Sequence, residues 1–464
     1  MSQADIYALM PLLILAGGSI LVLLAGALKP GGYLYELAGA LILAALLWSL
    51  LLPAGAVMPG LAITPFSRFF WIFLDSAGLV ALLLAAGYNR RRGISGEEYP
   101  ATLLFALAGM GAACAASDLL MLFLGLEAFT FAFYILVAIK RDSVKGGEAG
   151  LKYLLNGTLS AAILGMGMAL LYAATGTLKL TGLALAANQP EALYLGGACL
   201  VLLGMAFKLS LAPAHLWTAD VYQGAPAPVT ALLSTASKGA SLAALLLLLP
   251  LFGAWHGLRD LLWALALLSM LAGNFAALRQ GSLKRMLAWS SVGQMGYVAL
   301  ALVAAPSGGL RAAIFYIVVY ATAGLAAFGA LSTLSDRFEP DRLDDYRGLG
   351  YRCPLTGIAL AVAMFSLAGI PPAAGFIGKF GVFNAALRQG ETTLAIIGIL
   401  SALVAVFFYL RVVVMLYMKP SGESGELRSP GFSEIIALAV PTAATLLLGI
   451  HPQLLLDLLA KILI

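Results

Sequence analysis

Four lysines and one glutamate lie inside long apolar segments of this sequence, where no water solvates a charge. They are Lys152, Lys208, Lys238, Lys379 and Glu127. Because each charge at the middle of a bilayer costs about 3 kcal/mol or more, such side chains must face a polar interior. Burial favours their uncharged forms, and lysine, unlike arginine, can release its proton when it is desolvated. The five residues therefore predict a path along which protons cross part of the membrane.

A set of static ion pairs between helices is the alternative explanation of the same residues. Four lysines against a single glutamate do not balance in charge, which favours proton transfer. Three further charges in apolar segments have a structural explanation. Arg68 and Arg411 lie near span ends or beside aromatic residues, where arginine reaches the interface or forms an ion pair, and Asp75 could be the partner of either.

Two of the lysines lie next to a predicted break in their helix. Lys208 precedes "LSLAPAH", which contains Pro213, and Lys379 follows "FSLAGIPPAAGFIG", which contains Pro371 and Pro372. Proline removes a backbone donor and clashes with the preceding turn, and Ser-Leu-Ala occurs in both stretches, which indicates an internal duplication. Simple proline kinks are the alternative. Matching breaks in two halves predict an ion or proton site, because unwound backbone in a membrane must line protein or water.

The histidines and cysteines are too scattered for a metal or redox centre. Three of each stand singly, with no CxxC pair and no cluster at metal-ligand spacing, and no glycine-rich nucleotide loop follows a strand. We therefore expect no cofactor in this chain. His215, beside the first break, is a candidate proton relay, and a structural hydrogen bond to nearby backbone is the alternative.

The composition identifies the elements that must hold these residues as membrane helices. The chain is 62% hydrophobic and 11% charged, and its mean hydropathy is +0.97. Apolar runs reach the roughly 20 residues that a helix needs to cross a bilayer. We place fourteen spans near 5–28, 32–53, 66–88, 99–116, 118–139, 146–172, 193–219, 226–250, 259–278, 283–304, 310–334, 355–387, 392–418 and 432–452.

The positive charges of the loops predict the orientation. Most loop lysines and arginines, including those of "RRRGISGEEYP" and "SDRFEPDRLDDYRGLG", fall on one side if both termini lie outside. The net charge of +5 then reflects cytoplasmic loops that face anionic lipids and indicates no nucleic-acid partner. The N-terminus carries an acid and no basic residue before its first apolar run, which argues against a cleaved signal peptide.

Several motifs resemble one family. They are "HLWTADVYQGAPAPVTALLSTASKGA", "GSLKRMLAWSSVGQMGY", "LDDYRGLG" and "FSLAGIPPAAGFIGKF". From about Leu119 to Tyr417 the chain is similar to subunit N of bacterial proton-pumping NADH:quinone oxidoreductase, respiratory complex I, one of its antiporter-like membrane subunits. The resemblance implies an all-α membrane protein with two inverted five-helix repeats, each with a broken helix. The repeats would span 99–250 and 259–418, after N-terminal helices in 1–98 and before a C-terminal helix in 432–464.

The resemblance also implies roles for the charged residues. Glu127 matches the glutamate of the fifth span, Lys208 and Lys379 the lysines of the two broken helices, and Lys238 that of the eighth span. Lys152 matches an additional lysine typical of subunit N. Gln294 departs from the pattern, because many relatives have histidine in "SSxxHMGY". Glutamine can hold a water chain by hydrogen bonds but cannot carry a charge.

As the resemblance implies, the chain is a membrane-arm subunit that carries part of the redox-coupled proton path. FMN, iron-sulfur clusters and quinone would belong to other subunits, and its partners would be membrane lipids and other membrane subunits, including antiporter-like neighbours, in the bacterial inner membrane. The alternatives are a subunit of a multi-subunit cation/proton antiporter or of a membrane-bound hydrogenase, and a non-conducting scaffold. "DVYQGAPAPVTALLSTASK" favours subunit N, and unbalanced buried lysines argue against a scaffold.

Overall fold

The computed structural model describes residues 3–52, 55–94, 96–188, 191–252, 256–334, 341–420 and 429–462. Its α-helices, in chain order, are α1 Gln3–Leu28, α2 Tyr33–Leu51, α3 Pro65–Arg92, α4 Glu98–Cys114, α5 Leu119–Val137, α6 Val144–Thr175, α7 Leu180–Ala186, α8 Ala192–Lys208, α9 Thr218–Gly224, α10 Ala227–Ser234, α11 Ala236–Leu248, α12 His256–Leu278, α13 Leu283–Val303, α14 Gly309–Leu334, α15 Leu349–Arg352, α16 Pro354–Ala368, α17 Ala374–Arg388, α18 Thr392–Tyr417, α19 Phe432–Ile450 and α20 Gln453–Ile462. Short 3₁₀ turns occupy Leu249–Phe252, Ala305–Ser307 and Leu343–Tyr346.

Eleven helices in the described part of the chain are long and apolar enough to cross a membrane. The other three of the fourteen predicted segments fall on α4 and on two helix pairs, α8 with α9 and α16 with α17. Within each pair the helix is interrupted, at residues 209–217 and 369–373, which we call the first and second break. Both breaks lie where the prolines predict them.

Capping side chains decide where the helices near the candidate site begin. The Asp118 carboxylate accepts the Met121 backbone N–H at 2.8 Å and starts α5, and the Ser282 hydroxyl accepts the Arg285 N–H and starts α13. Glu127 follows Asp118 by nine residues, so it lies about 13 Å along α5, close to half the thickness of a bilayer core.

A two-stranded antiparallel hairpin is an element that the sequence did not predict. Its strands are β1 Ala56–Met58 and β2 Leu61–Ile63. Gly60 in the connecting turn has φ +81, a conformation that side chains with a Cβ rarely adopt. Leu61 also bridges Ala116, beside the start of α5. The all-helical expectation therefore holds for the spans but not for this connection.

The chain forms two compact units that do not follow the order of the predicted repeats. The first unit comprises Met1–Leu82, Gly96–Leu209 and Ala236–Leu261, and the second comprises Leu83–Ser95, Ser210–Thr235 and Leu262–Ile464. In the first unit, α6 packs on α8 and α4 packs on α5; in the second, α14 is surrounded by α10, α13, α16, α17 and α19. The chain passes from one unit to the other at the first break, immediately after Lys208 and Leu209.

The predicted ion pair of Asp75 is wrong. Arg68 donates to the backbone carbonyl of Leu52, and Asp75, although only 2% exposed, forms no ion pair with any described residue. Arg68 lies at the start of α3, where the free carbonyls at the end of α2 offer it an acceptor.

Candidate functional site

Glu127 and Lys208 form a buried ion pair in the first unit. The Lys208 Nζ lies 2.8 Å from Glu127 Oε1 and donates to Thr130 Oγ1 at 2.6 Å. α5 supplies both acceptors, and α8 ends at the lysine. The three residues are between 0% and 7% exposed. The pair can hold one proton on the lysine, and loss of either partner would leave the other charge buried alone.

Lys238 lies in the same unit and reaches the backbone at the first break. Its Nζ donates to the carbonyl oxygen of Lys208 at 3.3 Å, and its side chain is fully buried. Lys208 is the last residue of α8, so no later residue of that helix bonds its carbonyl. One buried lysine thus donates to the main chain of another.

Lys379 has the corresponding environment at the second break. Its Nζ donates to the carbonyls of Leu367 at 2.8 Å and Ala368 at 3.1 Å, the last two residues of α16. The amine also lies 5.3 Å from the centre of the Tyr297 ring. Among the described residues, Lys379 has no carboxylate within ion-pairing distance, so carbonyls and a ring face are its partners.

The two breaks therefore have the same arrangement of free carbonyls and a buried lysine. Each leaves carbonyls free at the end of a half-helix, where the helix dipole is negative, and a buried lysine donates to them. Carbonyls stabilise an ammonium group less than a carboxylate does, so the lysine keeps a partner without being locked in its charged form. The prolines are needed because a continuous helix would have used these carbonyls itself.

Short side chains satisfy the backbone donors that the breaks set free. The Ser269 hydroxyl accepts the Ala212 N–H at 2.8 Å in the first break, and the Ser366 hydroxyl accepts the Gly375 N–H at 3.1 Å after the second. A Cβ at Gly375 would lie 1.7 Å from the Ser366 carbonyl, so only glycine permits this approach. Sequence reasoning missed Thr130 and Ser269. Thr130 follows Glu127 by three residues, which places it on the same helix face and was a usable signal.

Gln294 lies against the acceptor of Lys379. Its Nε2 donates to the Leu367 carbonyl at 3.2 Å and to the Tyr409 hydroxyl at 2.8 Å. Its Oε1 accepts from the Tyr316 hydroxyl. Gln294 and Lys379 therefore share one carbonyl of the second break, and three hydrogen bonds hold the amide in one orientation.

Lys152 departs from the buried position that the sequence predicts. It pairs with Glu148 at 2.7 Å, one turn earlier on α6, and the two side chains are 42% and 62% exposed in this chain. Tyr153, the next residue, takes the inward position. The Lys152 side chain thus points away from the buried lysines. Because α6 is so apolar, the periodicity of its sequence did not reveal which face Lys152 occupies.

His215 is buried in the second unit, just before α9 begins. Its ring packs edge to face on Trp289 of α13, with 5.1 Å between ring centres. On the next turn, Asp220 accepts from Arg285 Nη1 at 2.5 Å. The C-terminal end of the first break, which leads into α9, therefore packs against α13, the helix that carries Gln294.

No arrangement for a metal was found in the described ranges. They contain no group of three or more histidine, cysteine or acidic side chains that could hold an ion. None of the three cysteines, Cys114, Cys199 and Cys353, forms a disulfide. The buried lysines and Glu127 are side chains that can bind and release protons.

Known proteins are similar to this chain over nearly its whole length. Residues 116–405 match the family model described as NADH:quinone oxidoreductase/Mrp antiporter, TM. NADH-quinone oxidoreductase subunit N of Geotalea uraniireducens is 52% identical, covering 100% of both chains. A chain of respiratory complex I from Thermus thermophilus is 35% identical, with TM-score 0.84 and coverage of 97% of this chain and 99% of the other. A chain of the archaeal membrane-bound sulfane sulfur reductase is 25% identical, with TM-score 0.87 and coverage of 99% and 96%.

Proposed function

The chain belongs to the NADH-quinone oxidoreductase subunit N family, and from this premise we propose that its buried lysines and Glu127 carry part of the redox-coupled proton path. The observation that supports this most is the repeated arrangement at the two breaks. Lys238 and Lys379 each donate to free carbonyls at the end of a half-helix. A purely structural lysine would not need an acceptor created by interrupting a membrane helix.

The proposed cycle begins at the ion pair of Glu127 with Lys208. When the pair loosens, Lys208 loses its counter-charge, and its proton passes toward Lys238 and then to Lys379. The positive charge on one lysine repels a proton on the next, so protons leave in one direction. The breaks supply carbonyls that accept from each amine and backbone that can change position.

Gln294 and His215 have different places in this proposal. Gln294 cannot carry a proton as charge, but it holds the Leu367 carbonyl that Lys379 also uses, so it orients the acceptor. His215 remains a possible relay beyond the first break. The energy for the cycle comes from other subunits, in which we place FMN, the iron-sulfur clusters and quinone.

We also propose the finer architecture that the resemblance implies: fourteen spans and inverted repeats at 99–250 and 259–418, with 1–98 before them and 432–464 after them. The matching positions of Lys208 and Lys379, each beside the break of its own helix, support the duplication. The partners are other membrane subunits, including antiporter-like neighbours, and lipids of the bacterial inner membrane. The Glu148–Lys152 pair supports a protein neighbour on that face of α6, because a half-exposed ion pair is costly against lipid.

Sequence identity favours subunit N over the antiporter and hydrogenase alternatives. The family model covers Mrp antiporters as well, whereas 52% identity over the full length belongs to a subunit N. A non-conducting scaffold would not require Lys208, Lys238 and Lys379 to be almost completely buried. Isolation of the chain together with NADH-oxidising subunits is the measurement that separates complex I from its relatives.

Replacing Lys238 by methionine tests the path itself. Methionine matches the length of the buried side chain but holds no proton, so proton uptake per NADH should fall about tenfold or more in membranes where the complex assembles. Lys179→Met, at an exposed position, is the matched control and should pump like the parent. Normal pumping by a Lys238→Met complex would show that the proposed lysine path is wrong.

The orientation can be tested with single cysteines in a chain whose three native cysteines are replaced by alanine. Because loop cations concentrate on one side, Asp142→Cys should be shielded from impermeant thiol reagents in spheroplasts and should react in inverted vesicles. Thr392→Cys, at the exposed first residue of α18 on the side assigned to the outside, should behave in the opposite way. Reversal of both patterns would show that the termini face the cytoplasm.

A further inference from the structure

Lys208 has two acceptors on α5, one turn apart. Glu127 Oε1 lies 2.8 Å from its Nζ and Thr130 Oγ1 lies 2.6 Å from it. Residues three apart on a helix share a face, so α5 presents a carboxylate and a hydroxyl to the same amine. Thr130 is completely buried. The shorter of the two contacts is therefore made by a residue that carries no charge.

The orientation of the Thr130 hydroxyl is fixed by the helix. Its Oγ1 donates to the Leu126 carbonyl at 2.6 Å, one turn back. Because this bond uses the single hydroxyl proton, the remaining lone pairs of Oγ1 can only accept, and Lys208 is the donor that they meet. The pairing is therefore directional: the amine donates and the threonine accepts.

The carboxylate and the hydroxyl respond differently when the lysine loses its proton. Glu127 attracts the ammonium group chiefly through charge, so most of this attraction is lost when the amine becomes neutral, and only an ordinary hydrogen bond to the carboxylate remains. A neutral amine still has two N–H donors, and a hydroxyl accepts from either form. The Thr130 contact therefore changes less between the two protonation states of Lys208 than the ion pair with Glu127 does.

We propose that Thr130 is a positioning residue that keeps the Lys208 amine beside α5 while its proton leaves and returns. This inference rests on the proposed function, because it assumes that Lys208 changes protonation state. Without Thr130, a neutral Lys208 would keep only the Glu127 carboxylate as an acceptor on α5, and its amine would be held in place less firmly before it is protonated again.

The other titratable groups around the amine cannot replace this contact. Lys238 donates to the Lys208 carbonyl and is itself cationic when protonated. Tyr134 of α5 and Tyr153 of α6 pack on each other at 5.0 Å between ring centres, and Tyr153 stacks on Phe207. Phe129 offers a ring face whose centre lies 6.0 Å from Nζ. With Glu127, these are the groups that α5, α6 and α11 bring to Lys208.

The test compares Thr130→Val, which keeps the shape and removes the hydroxyl, with Thr130→Ser, which keeps the hydroxyl. Both are measured in the assembled complex, in membranes, as proton uptake per NADH from pH 6 to pH 9. Because hydrogen bonds to charged groups are strong, the valine variant should pump about tenfold less at alkaline pH. Its alkaline limb should move about one unit lower, since the ammonium form has lost an acceptor. Thr130→Ser should restore both.

Controls separate this inference from the function on which it rests. Thr445→Val removes an equally buried hydroxyl that donates to a carbonyl one turn back but meets no lysine, and it should leave the pH profile unchanged. Normal pumping in Thr130→Val, while Lys238→Met does not pump, would overturn the role of Thr130 alone. Normal pumping in both would overturn the proton path.

Variants of Thr130 that fail to assemble into the complex also test the proposal. If Thr130→Val does not assemble, Thr130→Ala, which fits any space that threonine occupies, takes its place in the comparison with serine. If neither assembles, or if valine and serine impair pumping equally, the hydroxyl does not act through Lys208 and the proposal is wrong.

Discussion

Lys379→Arg is expected to stop most proton pumping, although it preserves the positive charge. The guanidinium group keeps its proton above about pH 12, so it cannot release one to the next acceptor. The Leu367 and Ala368 carbonyls would then hold a permanent cation. Proton uptake per NADH in membranes should fall about tenfold or more, and Lys379→Met, which cannot bind a proton, should have the same effect.

The pattern of the two substitutions separates a proton carrier from a structural cation. A structural cation would tolerate arginine and would fail only with methionine, because only then do the carbonyls lose their donor. Arg388→Lys, at an exposed position in the last turn of the same helix, should pump like the parent. An arginine variant of Lys379 with parental pumping would remove this residue from the path.

Glu127→Gln is expected to reduce pumping by a similar factor while the complex still assembles. The amide keeps the size and polarity of the side chain, and Lys208 keeps Thr130 as an acceptor, so the packing of α5 on its neighbours is preserved. Only the counter-charge is lost, and an ammonium group left alone in a buried site is disfavoured by about 3 kcal/mol or more. Lys208 should therefore lose its proton and cease to donate it. The measurements are proton uptake and quinone-reductase turnover.

Glu98→Gln is the matched control for this charge. Glu98 pairs with Arg141 at 3.4 Å, but the Glu98 side chain is 46% exposed and that of Arg141 89%, and solvent-exposed pairs contribute little. This variant should pump normally. Full proton translocation in Glu127→Gln would restrict the Glu127–Lys208 pair to a structural role.

The family and the broad features of the site could be predicted because they depend on residue types in order. Hydropathy identified the helices, and the motifs around Lys208, Lys238 and Lys379 identified the family. The two breaks were also predictable, since proline acts on its own turn through a missing donor and a local clash. The predicted ion pair of Asp75 was wrong, because charge and hydropathy show that a buried carboxyl group must be accommodated but not how.

The sequence by itself determined which segments are apolar helices and where two of them are interrupted; the tertiary structure decided which side chains are buried and which atoms meet. Lys208 meets Thr130 across 78 positions of the chain, and Lys238 meets the Lys208 carbonyl across 30. Lys152 has the same residue type as its buried counterparts, yet it points to the open face of α6. The segment Ser210–Thr235, which begins within the first break, packs in the second compact unit. These outcomes depend on the rotation and packing of whole helices, and in chains this apolar on every face, periodicity does not encode the rotation of a helix about its axis.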